Sequence, residues 1–250
     1  MASLYDRVEL YDLFDSDRKY KQTILHWQKV FGKANINSLL DVSIGTGSLT
    51  LPLAEMNVEL YGSDISRLML KRCEQKAEEK NIQVNLKQCD FRSLNKNFQR
   101  TFDCVASTGN SLAHVPNEEL LDVLVQMDAL VSKGGYLYLD LRNWDKIMAE
   151  KKRFWTYNPV FNGEERINCT QLWDYNPDGS MDFNILYAFE KDSAIVHTEV
   201  FTEHYYPIAR ELILRRLSSL GYSDIRTMCM PAFAEWDVDT VDWYCIFAKK

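Results

Sequence analysis

From Leu39 onward, short runs of apolar or alternating apolar and polar residues are separated by stretches in which apolar residues recur every three or four positions. The runs predict strands at 39–43, 58–63, 83–88, 101–107 and 136–141, and the periodic stretches predict helices at 48–56, 66–80 and 117–131. Ahead of them, Tyr20, Ile24, Trp27, Val30 and Phe31 follow helical spacing, with Asp15, Ser16 or Asp17 to cap the helix and Gly32 to end it. After residue 150 the alternation stops. Segments near 167–175, 181–190 and 195–206 are rich in aromatic and β-branched residues, and Asn176-Pro-Asp-Gly179 between the first two is a turn signal. Residues 207–220 resume a helix stopped by Gly221, and two closing strands follow at 224–230 and 241–248.

This order predicts an α/β fold: a Rossmann-like, doubly wound, seven-stranded sheet with an antiparallel β insertion, a lid, after the fifth strand. The expected organisation is a lid segment and helix over 1–36, a nucleotide-type core over 37–150, the inserted lid over 151–206, and a helix with closing strands over 207–250. The 250 residues, 46% of them hydrophobic, suffice for one large domain. A net charge of −7 without a long Lys/Arg block excludes a phosphate-tracking surface, so no nucleic acid partner is expected. No apolar run approaches the roughly 20 residues that cross a bilayer, and Met1-Ala-Ser-Leu-Tyr-Asp-Arg7 has no signal-peptide core, so the expectation is a cytoplasmic protein without a membrane partner. Six cysteines without a C-x-x-C pair read as reduced core or helix residues rather than as a metal site or disulfide framework.

The candidate chemistry gathers at Ser38-Leu-Leu-Asp-Val-Ser-Ile-Gly-Thr-Gly47. An apolar strand runs into a turn where Gly45 and Gly47 let the backbone approach a ligand closely. Asp64 ends the next strand, where a carboxylate can accept hydrogen bonds from both ribose hydroxyls. Together they point to a nucleoside-containing ligand. A nicotinamide dehydrogenase shares these features but calls for a third glycine where Thr50 stands, and no hydride-transfer constellation is evident. Tyr11 and Tyr20, beside an acidic loop, suit either a packed helix edge or a lid. Arg142 suits an anion clamp at the end of the fifth strand, or a surface pair with Asp140, Asp145 or Glu150. Asn110 and His114 suit either acceptor contact or loop capping and packing, and Tyr206 either substrate contact or the interior of the lid.

Leu40-Asp-Val-Ser-Ile-Gly-Thr-Gly47, Gly62-Ser-Asp64, Gln88-Cys-Asp-Phe91 and Asp103-Cys-Val-Ala-Ser-Thr-Gly109 resemble, in order, four motifs of the class I S-adenosylmethionine-dependent methyltransferases. Ser43 stands where that family often has glycine. Thr108-Gly-Asn-Ser-Leu-Ala-His-Val-Pro116, Asp140-Leu-Arg-Asn-Trp-Asp145 and Tyr205-Tyr-Pro207 are similar to segments of the glycine and sarcosine N-methyltransferases, and less closely of aminosugar N-methyltransferases. The resemblance implies a cofactor, S-adenosylmethionine, with S-adenosylhomocysteine as product and no metal. It implies that Asp64 binds the ribose, Asp90 the adenine amino group, and Gly45 and Gly47 the amino-acid tail. Tyr20, Asp41, Ser43, Ile65, Cys89, Phe91, Ser107, Thr108 and Gly109 complete the expected cofactor site. Tyr11, Asn110 and Arg142 are the expected catalytic positions, with Asn110, His114, Arg142 and Tyr206 on the acceptor.

The implied reaction is in-line transfer of a methyl group to a nitrogen of an amine, amino acid or short peptide. A homo-oligomer is compatible with the chain. The alternative from another class is a cofactor-binding protein of the same fold without catalysis. The acidic lid residues Glu164, Glu165, Asp174, Asp178 and Asp182 leave a cationic acceptor or peptide N-terminus open against the anion that Arg142 favours.

Overall fold

A computed structural model describes residues 3–250. Met1 and Ala2, the start of the expected 1–36 segment, lie outside the described residues. The strands of the core are β1 (Ser38–Asp41), β2 (Glu59–Asp64), β3 (Val84–Gln88), β4 (Phe102–Ser107) and β5 (Val131–Arg142). The lid contributes β6 (Phe154–Thr156), β7 (Val160–Asn162), β8 (Glu165–Tyr175), β9 (Met181–Lys191) and β10 (Ala194–Tyr205), and β11 (Ser223–Cys229) and β12 (Trp243–Lys249) close the chain. The helices are α1 (Val8–Tyr11), α2 (Asp17–Phe31), α3 (Arg67–Glu79), α4 (Leu94–Asn97), α5 (Asn117–Leu130), α6 (Trp144–Glu150) and α7 (Arg210–Ser219).

Among the described residues, seven strands form one sheet in the order β11-β12-β5-β4-β1-β2-β3. β1 pairs in parallel with β2 and β4, and β12 is antiparallel to both β5 and β11. The expected doubly wound sheet with an insertion after its fifth strand is therefore the observed architecture. All four residues of β1 are buried, as befits a strand covered on both faces. Its carboxyl end and those of β2 and β4 open on one crevice, the general ligand position of such sheets. All six cysteines are buried and unpaired, and among the described residues no helix is long and apolar enough to cross a membrane.

Two local expectations are corrected. The predicted helix 48–56 is a 3-10 segment, Leu51–Met56, because Pro52 supplies no N–H for an α-helical ladder and left-handed Asn57 ends it. The fifth strand starts at Val131 rather than 136. Phe102 pairs with Val131 and Cys104 with Tyr136, so the Lys133-Gly134-Gly135 turn is an irregularity within β5.

The lid is a second sheet, β10-β9-β8-β6, with β7 on β8. Alternation sorts its faces: Ile167, Cys169, Gln171 and Trp173 of β8 are buried, as are Met181, Phe183, Ile185, Tyr187 and Phe189 of β9. The Asn176–Gly179 turn joins β8 to β9, with left-handed Gly179 donating to the Asn176 carbonyl at 3.0 Å.

Candidate active site

Two cavities meet at the N-terminal segment. The larger, about 570 Å³, lies over the ends of β1, β2 and β3 and is bordered by Ser43, Gly45, Asp64, Ile65, Cys89, Asp90, Phe91 and His114. That volume falls within the range of small-ligand sites, about 300–1,000 Å³. The smaller, about 170 Å³, lies between the core and the lid and is bordered by Gly109, Asn110, Arg142, Gln171, Glu203 and Trp243. Tyr5 and Tyr11 border both. The Tyr11 hydroxyl hangs over the two glycine turns, 3.9 Å and 3.8 Å from where Cβ atoms on Gly45 and Gly109 would stand. Burial raises its pKa, so the hydroxyl is neutral.

In the larger cavity, the Asp64 carboxylate accepts hydrogen bonds from the Gly45 amide at 2.9 Å and the Ser66 amide at 2.8 Å, which fix the oxygens at the mouth of the turn. Burial pushes its pKa up while those amides pull it down, with burial dominant. Asp90 caps the turn after β3 and is gripped by the Arg92 guanidinium. Ile65, 63% exposed, and Phe91 offer apolar surface beside these acids. A cavity with a fixed acid at the β2 tip, a glycine approach and apolar walls fits an adenosine moiety.

The structure separates several expected residues from that cavity. Asp41 is fully buried and accepts from the Ser43 amide and the hydroxyls of Thr50 and Thr108, tying the glycine turn to the turn after β4; burial raises its pKa to about 6. Thr50, where a dinucleotide fold needs glycine, is thus committed to Asp41. Ser107 bonds Ser43 at 2.9 Å, and Thr108 bonds it through the backbone, so both brace the site from behind. Gly47 serves packing: a Cβ there would stand 2.7 Å from Cys73 Sγ and from Leu51 Cγ. Tyr20 turns away on α2, with Lys80 Nζ 4.5 Å from its ring centre.

In the smaller cavity, Arg142 is 8% exposed. Its guanidinium carbon lies 4.9 Å, 5.2 Å and 5.6 Å from the ring centres of Trp243, Phe183 and Trp173. None of the carboxylates proposed as its surface partners pairs with it. Asp140 accepts from the Gly109 amide, Asp145 accepts from the Arg210 amide, and Glu150 pairs with Lys152. Among the described residues no carboxylate forms an ion pair with Arg142.

Asn110 takes left-handed backbone geometry ahead of the Ser111–His114 turn, yet its side chain does not cap it. Its Oδ1 accepts from the Arg142 amide at 3.1 Å and Trp144 Nε1 at 3.0 Å, and its buried Nδ2 has no partner. His114 Nε2 lies 2.7 Å from the Tyr5 hydroxyl, and burial pushes the imidazole pKa down to about 4, too weak a base to match proton abstraction near neutrality.

Tyr206 is replaced at the cavity by Tyr205. In β10 the inward positions are Phe201, Glu203 and Tyr205, so Tyr206 falls on the other side, edge-on to His204. Tyr5, Tyr157, Gln171, Tyr187, Glu203 and Trp243 were also missed. Strand parity within 167–175, 181–190 and 195–206 is the sequence signal for Gln171, Tyr187 and Glu203.

The N-terminal segment is fastened over both cavities. Glu203 accepts from Ser3 Oγ at 2.8 Å and the Leu4 amide at 2.9 Å, and Arg7 pairs with Glu199. Asp12 bonds Arg72 at 2.9 Å and Lys76 at 3.2 Å, and Asp15 bonds Lys76 at 2.6 Å, which anchors the segment to α3.

Residues 39–135 match a family model described as a methyltransferase domain. The glycine/sarcosine N-methyltransferase of Aphanothece halophytica is 30% identical over 215 residues, covering 85% of this chain and 76% of that protein. The enzyme of the same description from Parasynechococcus marenigrum (strain WH8102) is 27% identical over 220 residues, covering 85% and 71%. In structure, an S-adenosylmethionine-dependent methyltransferase from Clostridium acetobutylicum superposes with a TM-score of 0.76 at 17% identity, over 98% of this chain and 97% of that one. This chain is an S-adenosylmethionine-dependent methyltransferase and belongs to the family that includes the glycine/sarcosine N-methyltransferases.

Proposed function

We infer that the protein methylates the amine nitrogen of a small, carboxylate-bearing acceptor, an amino acid of glycine or sarcosine size. The observation that carries this reading is the buried Arg142 guanidinium, without a carboxylate partner among the described residues, in a cavity of about 170 Å³ that touches the cofactor cavity at Tyr5 and Tyr11. A buried cation that the fold leaves unpaired is complementary to an incoming anion. The volume lies below the usual range for drug-sized ligands, about 300–1,000 Å³, and so disfavours peptides. The acidic lid residues that would have favoured a cationic acceptor border neither cavity. Asp174 pairs with Arg153, Asp182 with His204 and Glu164 with Lys191, while Asp178 accepts from Ser180.

S-adenosylmethionine supplies a methyl group on a sulfonium, electrophilic enough for direct displacement by a neutral amine. The side chains described above would then act by positioning. Asp64, with Asp90 and the apolar walls, holds the nucleoside; Arg142 and Asn110 Nδ2 hold the acceptor carboxylate; Tyr5 and Tyr11 line the junction where nitrogen and methyl meet. Alignment of this kind can supply about 7–11 kcal/mol of a bimolecular barrier. The aromatic lid keeps the junction dry.

The test is methyl transfer from labelled S-adenosylmethionine to glycine, sarcosine and dimethylglycine, against ethylamine and glycine methyl ester, with products identified by mass spectrometry. Methylation of the amino acids with little on the carboxylate-free amines is expected. Equal turnover of the amines lacking a carboxylate would refute the reading, as would methylation of none of the amino acids.

A further inference from the structure

Alternation along β8 places one polar side chain in an otherwise apolar inward row, Ile167, Cys169, Gln171, Trp173. Gln171 is 7% exposed, pairs in register with Ile185 of β9, and borders the same cavity as Arg142 and Asn110. Its Oε1 accepts from Trp173 Nε1 at 3.0 Å. That bond orients the amide and leaves the Nε2 hydrogens without an acceptor among the described residues. The same device operates across the cavity, where Trp144 Nε1 pins Asn110 Oδ1 and leaves Nδ2 without a partner. Two amides, each held by an indole N–H, thus present N–H donors beside a guanidinium that leans on Trp173. Among the described residues, the one carboxylate bordering the cavity, Glu203, has Oε1 occupied by Ser3 and Leu4.

We propose that Gln171 is a specificity-determining residue, the lid's hydrogen-bond donor to the acceptor's anionic group. This rests on the carboxylate-bearing acceptor inferred above. A carboxylate offers about four lone-pair sites, two for a bidentate guanidinium and two for the amides of Asn110 and Gln171. An amine without the anion leaves the donors of Arg142, Asn110 and Gln171 without the partner they are placed to meet, which is how a polar site rejects an isostere. Gln171 also makes the lid part of recognition, since Arg142 and Asn110 both belong to the core.

The experiment compares Gln171→Leu and Gln171→Glu with the wild type, using whichever of glycine and sarcosine the wild type methylates and that amino acid's methyl ester. Gln171→Leu should raise the amino acid KM about ten- to a hundredfold with kcat little changed, because a contact present in ground and transition states is lost. It should leave the ester's kinetics and S-adenosylmethionine affinity as they were. Gln171→Glu should pair with Arg142, suppress amino acid turnover further and tilt preference toward the ester. Cofactor titration and thermal unfolding confirm that each variant is folded. An unchanged amino acid KM in Gln171→Leu, with an active wild type, overturns the role of Gln171 alone; a wild type that methylates no carboxylate-bearing amine overturns the acceptor reading with it.

Discussion

Arg142→Met should separate two consequences of burying a cation that the protein itself does not neutralise. For the acceptor, losing one partner of a desolvated charge pair costs about 2–5 kcal/mol. At about 1.4 kcal/mol per decade, the acceptor KM should rise about 30- to 4,000-fold. For the fold without acceptor, the balance is different. The guanidinium gains about 0.5–2 kcal/mol from each of its three aromatic neighbours, opposed by several kcal/mol of desolvation for a buried ion. Methionine fills similar space beside Trp173, Phe183 and Trp243 without that penalty. Unfolding free energy should therefore stay within about 1 kcal/mol of the wild type or increase, so the midpoint falls by no more than about 4 °C. The assay pairs initial rates at saturating S-adenosylmethionine with thermal unfolding in the absence of acceptor. A variant that unfolds many degrees lower with an unchanged acceptor KM would show that Arg142 is structural, and the reasoning would fail.

Three further outcomes follow from the same geometry. Asp64→Ala removes the acceptor of the Gly45 and Ser66 amides, and with about 1.5–3 kcal/mol per charge-assisted bond it should weaken S-adenosylmethionine binding at least tenfold by calorimetry; unaltered affinity would displace Asp64 from the ribose. Gly47→Ala combines about 1–2 kcal/mol of left-handed strain with about 1–3 kcal/mol of overpacking against Cys73 and Leu51, a midpoint lowered by roughly 4–20 °C, whereas Gly45→Ala carries the same strain without the overpacking, since its Cβ meets only the Tyr11 hydroxyl at 3.9 Å; equal midpoints would contradict this. Burial raises Asp140 to about 7, so the folded state holds its proton more tightly than the unfolded chain, and the stability it contributes in acid is lost as pH rises through about 7. Asp140→Asn should flatten that decline in urea midpoints between pH 5 and 8, and parallel wild-type and variant curves would exclude Asp140 as its source.

The middle of the sheet was legible because β1 and β4 are almost wholly buried and read as apolar runs, and because Asp64 ends β2 at the spacing a βαβ unit requires, whereas no residue of β3 is buried. On the nucleoside side, Ser43, Gly45, Asp64, Ile65, Cys89, Asp90 and Phe91 border the larger cavity, whereas Tyr20, Asp41, Gly47, Ser107, Thr108 and Gly109 do not. The acceptor side was less legible, since its walls come from residues far apart whose meeting depends on how the lid docks. Sequence alone does not separate Tyr205 from Tyr206 without a strand register, since a shift of one residue moves a side chain to the opposite face. Gln171 carried its signal in plain view, a polar residue on the inward parity of an apolar strand. The glycines taught the opposite lesson. Gly45 and Gly47 look equivalent in sequence, but a Cβ on Gly47 would collide with Cys73 of α3 and with Leu51, whereas one on Gly45 would meet only the Tyr11 hydroxyl.

The two cavities also differ in how much of the chain must exist before they can. Every residue bordering the cofactor cavity falls between Ser3 and Val115. The acceptor cavity draws on Leu4 at one extreme and Trp243 at the other, and the Leu4 amide meets Glu203 across 199 positions. In the order of synthesis on a ribosome, the nucleoside-facing residues are all present before the guanidinium, the lid or the closing strand has been made. A chain interrupted within the lid keeps every described residue that borders the larger cavity and lacks part of the wall of the smaller one.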